Sequence, residues 1–83
     1  MDFDARSIEA FSRKMLERLD ANLHKGRGGW LTKDRNFFVR KLGEEYAELL
    51  VAMGQDQPEA VTLEAADLAN TCMMISDVFG ARR

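Results

Sequence analysis

One apolar stretch near the end of the chain decides the fold, residues 58–80, PEAVTLEAADLANTCMMISDVFG. Pro58 suits the first turn of a helix, where its missing N–H costs no hydrogen bond, and Gly80 suits the end of a helix. Apolar residues surround this predicted helix on nearly every side, as is typical of a helix that is buried all round. Two other helices cannot cover it, so we expect a second subunit to pack against it.

Two earlier stretches carry apolar residues at steps of three and four, which predicts two amphipathic helices. The first covers about residues 4–23. The second begins near Thr32 or Asp34, which are both good N-caps, and ends at Gly54. The sequence therefore predicts an all-α fold with a single domain over residues 1–83. We expect a three-helix subunit that forms a helical bundle across an oligomer interface, as a homodimer or a homotetramer.

Size and cysteine content limit the ways in which the chain can be stable. A domain of 83 residues buries only roughly 60% of its unfolded surface, so small domains usually add disulfides, a metal or oligomerisation. Cys72 is the only cysteine, which excludes an internal disulfide and a thiolate metal site and fits a reducing cytoplasm. Because we find neither a signal-peptide pattern nor an apolar run that could span a bilayer, we expect a cytoplasmic protein without a membrane partner.

Charges are divided along the chain, although the net charge is only −2. Residues 24–41 carry six Lys or Arg and one acid, whereas residues 42–81 carry eight acids and no base. The basic part includes a glycine-rich loop, residues 22–30, which holds the only histidine and the only tryptophan. Glycines let such a backbone approach a ligand closely. A solvated surface gives the same charge pattern, but a basic loop beside acidic helices also suits a metal–polyphosphate site.

Five carboxylates lie at helical spacing on the second and third predicted helices: Glu44, Glu45, Glu48, Glu64 and Asp67. Residues three or four apart share a helix face, so Glu45 and Glu48 point the same way, as do Glu64 and Asp67. A short connection predicts an antiparallel hairpin in which the two pairs face each other. Each pair alone could be a solvent-facing stripe. Because Glu64 and Asp67 stand in an otherwise apolar helix with no base nearby in sequence, we expect the group to bind a divalent cation.

The ligand type indicates which cation this is. Oxygen-only ligands suit Mg²⁺, Mn²⁺ or Ca²⁺ and not zinc. A di-iron site in a helical bundle needs Glu-x-x-His on a helix, and the only histidine lies in the loop. Mg²⁺ usually takes part of its ligands from protein carboxylates and the rest from water and substrate phosphates. The pattern therefore favours phosphate chemistry over a purely structural ion.

The order and spacing of these carboxylates resemble those of a known family. They form two half-motifs, Glu44-Glu45-x-x-Glu48 and Glu64-x-x-Asp67. In this the chain is similar to the MazG-like all-α nucleotide pyrophosphohydrolases. The loop segment HKGRGGW, residues 24–30, and the helix segment at residues 65–77 also resemble the corresponding segments of that family. The resemblance covers about residues 11–79.

This resemblance implies an enzyme that cleaves nucleoside or deoxynucleoside triphosphates to a monophosphate and pyrophosphate. It implies Mg²⁺ as the cofactor, with Mn²⁺ as a substitute. The implied metal ligands are Glu45, Glu48, Glu64 and Asp67. The implied catalytic residues are Glu44, which would orient the attacking water or hold a second ion, and Glu48. The implied substrate-binding residues are His24, Lys25, Trp30, Lys33, Arg35 and Asn70, with Trp30 stacking on the base and the cationic side chains binding the outer phosphates.

Two other classes of function compete with this one. A catalytically silent helical module, which oligomerises and binds a nucleotide or a partner without turnover, would have the same fold. A nucleic-acid polymer could bind residues 25–41, but the overall acidity and the lack of a recognition-helix pattern argue against it. The chain also departs from longer family members because it has no clear helices after the third. A neighbouring subunit is therefore expected to help close the base pocket.

Overall fold

The computed structural model describes residues 3–21 and 29–81, and these residues form an all-α protein. Helix α1 is Phe3–Ala21, α2 is Arg35–Gly54 and α3 is Pro58–Phe79. A short 3₁₀ helix, Gly29–Thr32, precedes α2. No strand occurs within the described ranges. The predicted fold class and its three long helices are confirmed, and the last two residues expected in the first helix, 22 and 23, lie outside the described part.

The helix ends follow from capping residues in the sequence. Asp34 is the N-cap of α2, where its Oδ1 accepts a hydrogen bond from the Phe37 N–H at 3.0 Å. The alternative cap, Thr32, instead donates from its Oγ1 to the carbonyl of Gly29. At the end of α3 the Gly80 N–H donates to the Ser76 carbonyl at 2.9 Å. A Cβ on Gly80 would lie 2.7 Å from that oxygen, so this close turn requires glycine.

Helix α3 lies between the other two helices. It packs against α2 in a hairpin closed by residues 55–57, where Asp56 has the left-handed φ of 55°. It also packs against α1, and α1 and α2 have no contact of comparable extent with each other. The Asn70 Nδ2 donates to the Met15 carbonyl at 2.9 Å and so ties α3 to α1. The hairpin predicted from the short connection is therefore present.

The core of this arrangement is small. Among the described residues the buried apolar side chains are Phe38, Ala52 and Ala66. Phe38 packs edge-to-face against Phe37 and Phe79, with ring centroids 5.1 and 5.9 Å apart. A core this small stabilises a single chain only weakly.

Within the hairpin, the larger set of exposed apolar side chains is on α2, whereas the sequence led us to expect an uncovered apolar surface on α3. Most apolar side chains of α3 are half-buried because α1 and α2 cover two of its sides, and its one exposed large apolar side chain is Phe79. Helix α2 exposes more: Val39, Leu42, Tyr46, Leu50, Val51 and Met53. The expected packing of a second subunit on α3 stays a prediction. None of the helices in the described ranges has the length and apolarity that a bilayer span requires.

Candidate metal centre

Three carboxylates meet where α2 and α3 face each other. Glu45 and Glu48 of α2 and Glu64 of α3 each place one carboxylate oxygen within 4.8 Å of the others. The i, i+3 spacing puts the two α2 residues on the side of the helix that faces the hairpin partner, and the antiparallel pairing brings Glu64 beside them. We refer to Glu45, Glu48 and Glu64 as the carboxylate cluster. It contains three of the four metal ligands predicted from the sequence.

The carboxylate cluster has little compensating positive charge, and two of its oxygens have no hydrogen-bond partner. Glu45 Oε2 and Glu64 Oε2 are buried, and neither has a hydrogen-bond partner. Burial, followed by the hydrogen bond and the charge of Glu48, raises the pKa of Glu64 to about 7. Burial and the charge of Glu48 also raise the pKa of Glu45, although Lys41, whose Nζ is 3.8 Å from Glu45 Oε1, opposes this increase. Ionised carboxylates are therefore costly here without a cation.

The donors in the carboxylate cluster fit Mg²⁺ or Mn²⁺. All are carboxylate oxygens, which hard divalent cations prefer, and two of them have no other partner. Three carboxylates also leave coordination positions for water and phosphate, as is usual for Mg²⁺. Glu45 and Glu64 are half-buried and Glu48 is exposed, so such a site has a side open to solvent. The cation chemistry predicted from the sequence is therefore compatible with the geometry.

Asp67, the fourth predicted ligand, is bound by an arginine of α1. Arg18 Nε donates to Asp67 Oδ1 at 2.9 Å, and Arg18 Nη2 donates to Oδ2 at 3.0 Å. The hydrogen bond to Asp67 raises the pKa of Arg18, and the charges of Glu64 and Glu45 add to this increase. Arg18 thus places a positive charge against the acidic side of α3. Asp67 is next to the carboxylate cluster, but both of its oxygens already have a partner.

Sequence reasoning missed Arg18, although a signal was present. Arg18 follows Phe11 and Met15 at steps of four and three, so it stands on the apolar face of α1 and not among the charged residues of the opposite face. A base on a face that packs against another helix needs an acid there. The absence of a base near Asp67 in sequence concealed the pair, because 49 residues separate the two partners.

The predicted base-binding and phosphate-binding residues form a separate group at the N-terminal end of α2. The half-buried Trp30 donates from Nε1 to Asp77 Oδ2 at 3.2 Å. Lys33 Nζ lies 5.3 Å from the Phe37 ring centroid, and the Arg35 guanidinium lies 5.9 Å from that of Phe79. Ten residues separate Arg35 from Glu45 along α2, which is about 15 Å at 1.5 Å per residue. The structure therefore does not bring Lys33 and Arg35 to the carboxylate cluster.

The remaining predicted residues differ in their surroundings. Asn70 is 4% exposed, and its Nδ2 donates to the Met15 carbonyl, which gives it a packing role between α3 and α1. Glu44 is exposed beside the carboxylate cluster without being part of it. His24 and Lys25 lie outside the described residues.

Comparison with known proteins does not assign this chain to a family. No family model matches it, and no curated protein and no solved structure matches it either. The motif resemblance therefore stays a prediction.

Proposed function

We propose that this protein is a Mg²⁺-dependent nucleotide pyrophosphohydrolase of the MazG-like type. It would hydrolyse a nucleoside or deoxynucleoside triphosphate to the monophosphate and pyrophosphate, and Mn²⁺ would substitute for Mg²⁺. The observation that carries this proposal is the carboxylate cluster: three carboxylates from two helices, with two buried oxygens that have no partner. A cation is the simplest compensation for this cluster, and phosphates are the natural companions of a carboxylate-bound Mg²⁺.

Each residue of the site has a role in this proposal. Glu45, Glu48 and Glu64 hold the metal, which supplies charge neutralisation of the triphosphate and activation of a water molecule. Asp67 is the fourth ligand, because an ionised carboxylate has about four lone-pair positions and can keep Arg18 while it binds an ion. Glu44, which is exposed next to the metal ligands, orients the water that adds across the anhydride linkage.

The nucleoside would lie toward the other end of α2. Trp30 is the only tryptophan. It is half-buried and donates to Asp77, which lies 10 residues, about 15 Å, along α3 from Asp67. An aromatic face at that distance suits base stacking by an extended nucleotide. Lys33 and Arg35 stand beside it, so we assign them to the substrate near its nucleoside end and leave the outer phosphates to the metal and Lys25. His24 remains a nucleoside contact in this proposal, and Asn70 is left out because it is buried.

The proposed enzyme works in the cytoplasm as a homodimer or homotetramer. The small core supports self-association, since small domains commonly need a further source of stability.

Product analysis tests the reaction. The purified protein would be incubated with Mg²⁺ and a panel of NTPs and dNTPs, and the products followed by ³¹P NMR. Wild type and the control Glu59→Gln, an exposed acid in the first turn of α3, are expected to release pyrophosphate and monophosphate. Glu48→Gln, which keeps the side-chain shape but removes the charge, is expected to abolish release. Orthophosphate as the product would show cleavage of the wrong linkage, and equal rates in both variants would reject the site.

A catalytically silent helical module is the second candidate. The Arg18–Asp67 pair favours it, because this pair neutralises part of the acidic surface without any metal. In that case Glu48→Gln would stabilise the fold by relieving repulsion, Mg²⁺ would leave the unfolding temperature unchanged, and no nucleotide would turn over. The proposed enzyme instead requires that Mg²⁺ raises the unfolding temperature and that a nucleotide is hydrolysed.

A further inference from the structure

Helix α2 exposes a row of apolar side chains on the side that neither α1 nor α3 covers. This apolar stripe consists of Val39, Leu42, Tyr46, Leu50 and Met53, all exposed. Val39 is 64%, Tyr46 56% and Met53 58% exposed, which is unusual for large apolar groups in a regular row. Steps of three and four residues keep the whole row on one face of the helix. The row spans 14 residue steps, which is about 21 Å along the helix axis. It therefore covers a large part of one side of a molecule whose dimensions are 34 × 32 × 24 Å.

The spacing of the apolar stripe is symmetric about Tyr46. Val39 and Met53 lie seven residues before and after it, and Leu42 and Leu50 lie four residues before and after it. Two copies of α2 that pack antiparallel about a two-fold axis at Tyr46 would place each residue opposite its symmetric counterpart. Val39 would then face Met53, Leu42 would face Leu50, and Tyr46 would face its own copy. An unrelated partner does not require this symmetry, so the pattern favours a second copy of the chain.

A glycine beside the apolar stripe supports close approach of another helix. Gly43 is exposed in the interior of α2, where glycine costs about 1 kcal/mol relative to alanine. A Cβ on Gly43 would have no atom within 4 Å, so nothing in the described part of this chain requires its absence. In the antiparallel pairing Gly43 would lie beside Leu50 of the second copy, because the two-fold axis brings residues on the same side of the stripe together. A small residue at that point lets a larger side chain of the partner fit.

We propose that the apolar stripe is a homodimer interface in which α2 packs antiparallel against α2 of a second copy. The stripe contains no charged residue, so the pairing buries no unpaired charge. It also lies on a different side of α2 from Glu45 and Glu48, which face α3. Each dimer therefore keeps two separate carboxylate clusters open to solvent. The interface is independent of the proposed reaction and would exist in a catalytically silent module as well.

Disulfide cross-linking tests the position of the two-fold axis. Cys72 is the only cysteine and is exposed, so the experiment uses a Cys72→Ser background. Tyr46→Cys in this background is expected to form a covalent dimer under mild oxidation, because each thiol meets its own copy. Val51→Cys is the matched control, since Val51 is equally exposed on α2 but lies outside the stripe. Equal cross-linking of both variants, or none with Tyr46→Cys, would overturn the proposal.

Analytical ultracentrifugation provides a test without new thiols. Tyr46→Glu places two like charges at the axis and is expected to weaken self-association at least roughly tenfold. Val51→Glu is expected to leave it unchanged. Both sites are exposed in the single chain, so both variants should keep the helical circular dichroism of wild type. A monomeric wild type, or a Tyr46→Glu variant that associates as wild type does, contradicts the interface. A wild-type tetramer reduced to dimers by Tyr46→Glu supports it.

Discussion

Arg18 on α1 holds Asp67 on α3 through both carboxylate oxygens, at 2.9 and 3.0 Å. The two side chains are 29% and 18% exposed, so this ion pair is far better shielded than the exposed pair of Arg13 and Glu9. Paired fork-to-carboxylate hydrogen bonds are among the strongest that side chains form. This contact joins α1, which carries neither carboxylate half-motif, to α3, which carries Glu64 and Asp67.

Removal of Arg18 should destabilise the metal-free protein. Arg18→Met keeps much of the side-chain volume but leaves Asp67 uncompensated beside the carboxylate cluster. We expect a loss of about 1–3 kcal/mol, between the values for exposed and buried pairs. Urea unfolding in EDTA measures it, with Arg13→Met as the control, for which we expect less than about 0.5 kcal/mol. Equal losses in the two variants would show that the Arg18 contact is no stronger than a surface pair.

The stability of the metal-free protein should fall as the pH rises. The pKa of Glu64 is raised from 4.5 to about 7 in the folded state, so the folded state binds a proton more tightly than the unfolded state. The resulting stabilisation is complete below the unfolded pKa and is lost as the pH rises through about 7. Thermal unfolding in EDTA across this window should show the decline. Glu64→Gln should flatten it, whereas Glu59→Gln should not. An unchanged slope in Glu64→Gln would assign the effect to other groups.

Mg²⁺ should raise the unfolding temperature through the carboxylate cluster. A ligand that binds only the folded state at a free concentration of 100 times its dissociation constant stabilises it by about 2.7 kcal/mol. We expect this gain in wild type and in Glu59→Gln and expect it to be lost in Glu45→Gln and Glu64→Gln. Differential scanning fluorimetry with a Mg²⁺ titration measures it, and Mn²⁺ should act in the same way. The same gain in Glu64→Gln would place the binding elsewhere.

Phe38 should be the most sensitive position of the apolar core. It is buried and packs against the rings of Phe37 and Phe79. Among the described residues, the other buried apolar side chains are only those of two alanines, so Phe38 contributes most of the buried apolar area. Phe38→Ala should cost about 3–5 kcal/mol, because it removes a large side chain and leaves a cavity. Val51→Ala, at an exposed position of the same helix, should cost less than about 1 kcal/mol. Chemical unfolding compares the two, and similar losses would contradict the small core described above.

Local signals in the sequence predicted the helices and most of the carboxylate cluster. Caps and glycines act on their neighbours, so Asp34, Pro58 and Gly80 marked helix ends that the structure confirms. Helical spacing likewise placed Glu45 and Glu48 on one face. A turn of three residues left the antiparallel hairpin as the simplest connection, and this brought Glu64 opposite them. These are short-range effects, which is why they could be read without knowledge of the packing.

Packing between distant segments decided the rest. The sequence by itself determined an all-α chain and its helix ends, because these depend on residues a few positions apart. The short turn between α2 and α3 also predicted that Glu64 lies opposite Glu45 and Glu48. Only the tertiary structure showed that Arg18 reaches Asp67, that Asn70 is buried against α1, and that the larger set of exposed apolar side chains in the hairpin belongs to α2. These follow from the position of α3 between its neighbours. Helical periodicity shows which residues share a face, but which face another helix covers depends on how the three helices are arranged in space.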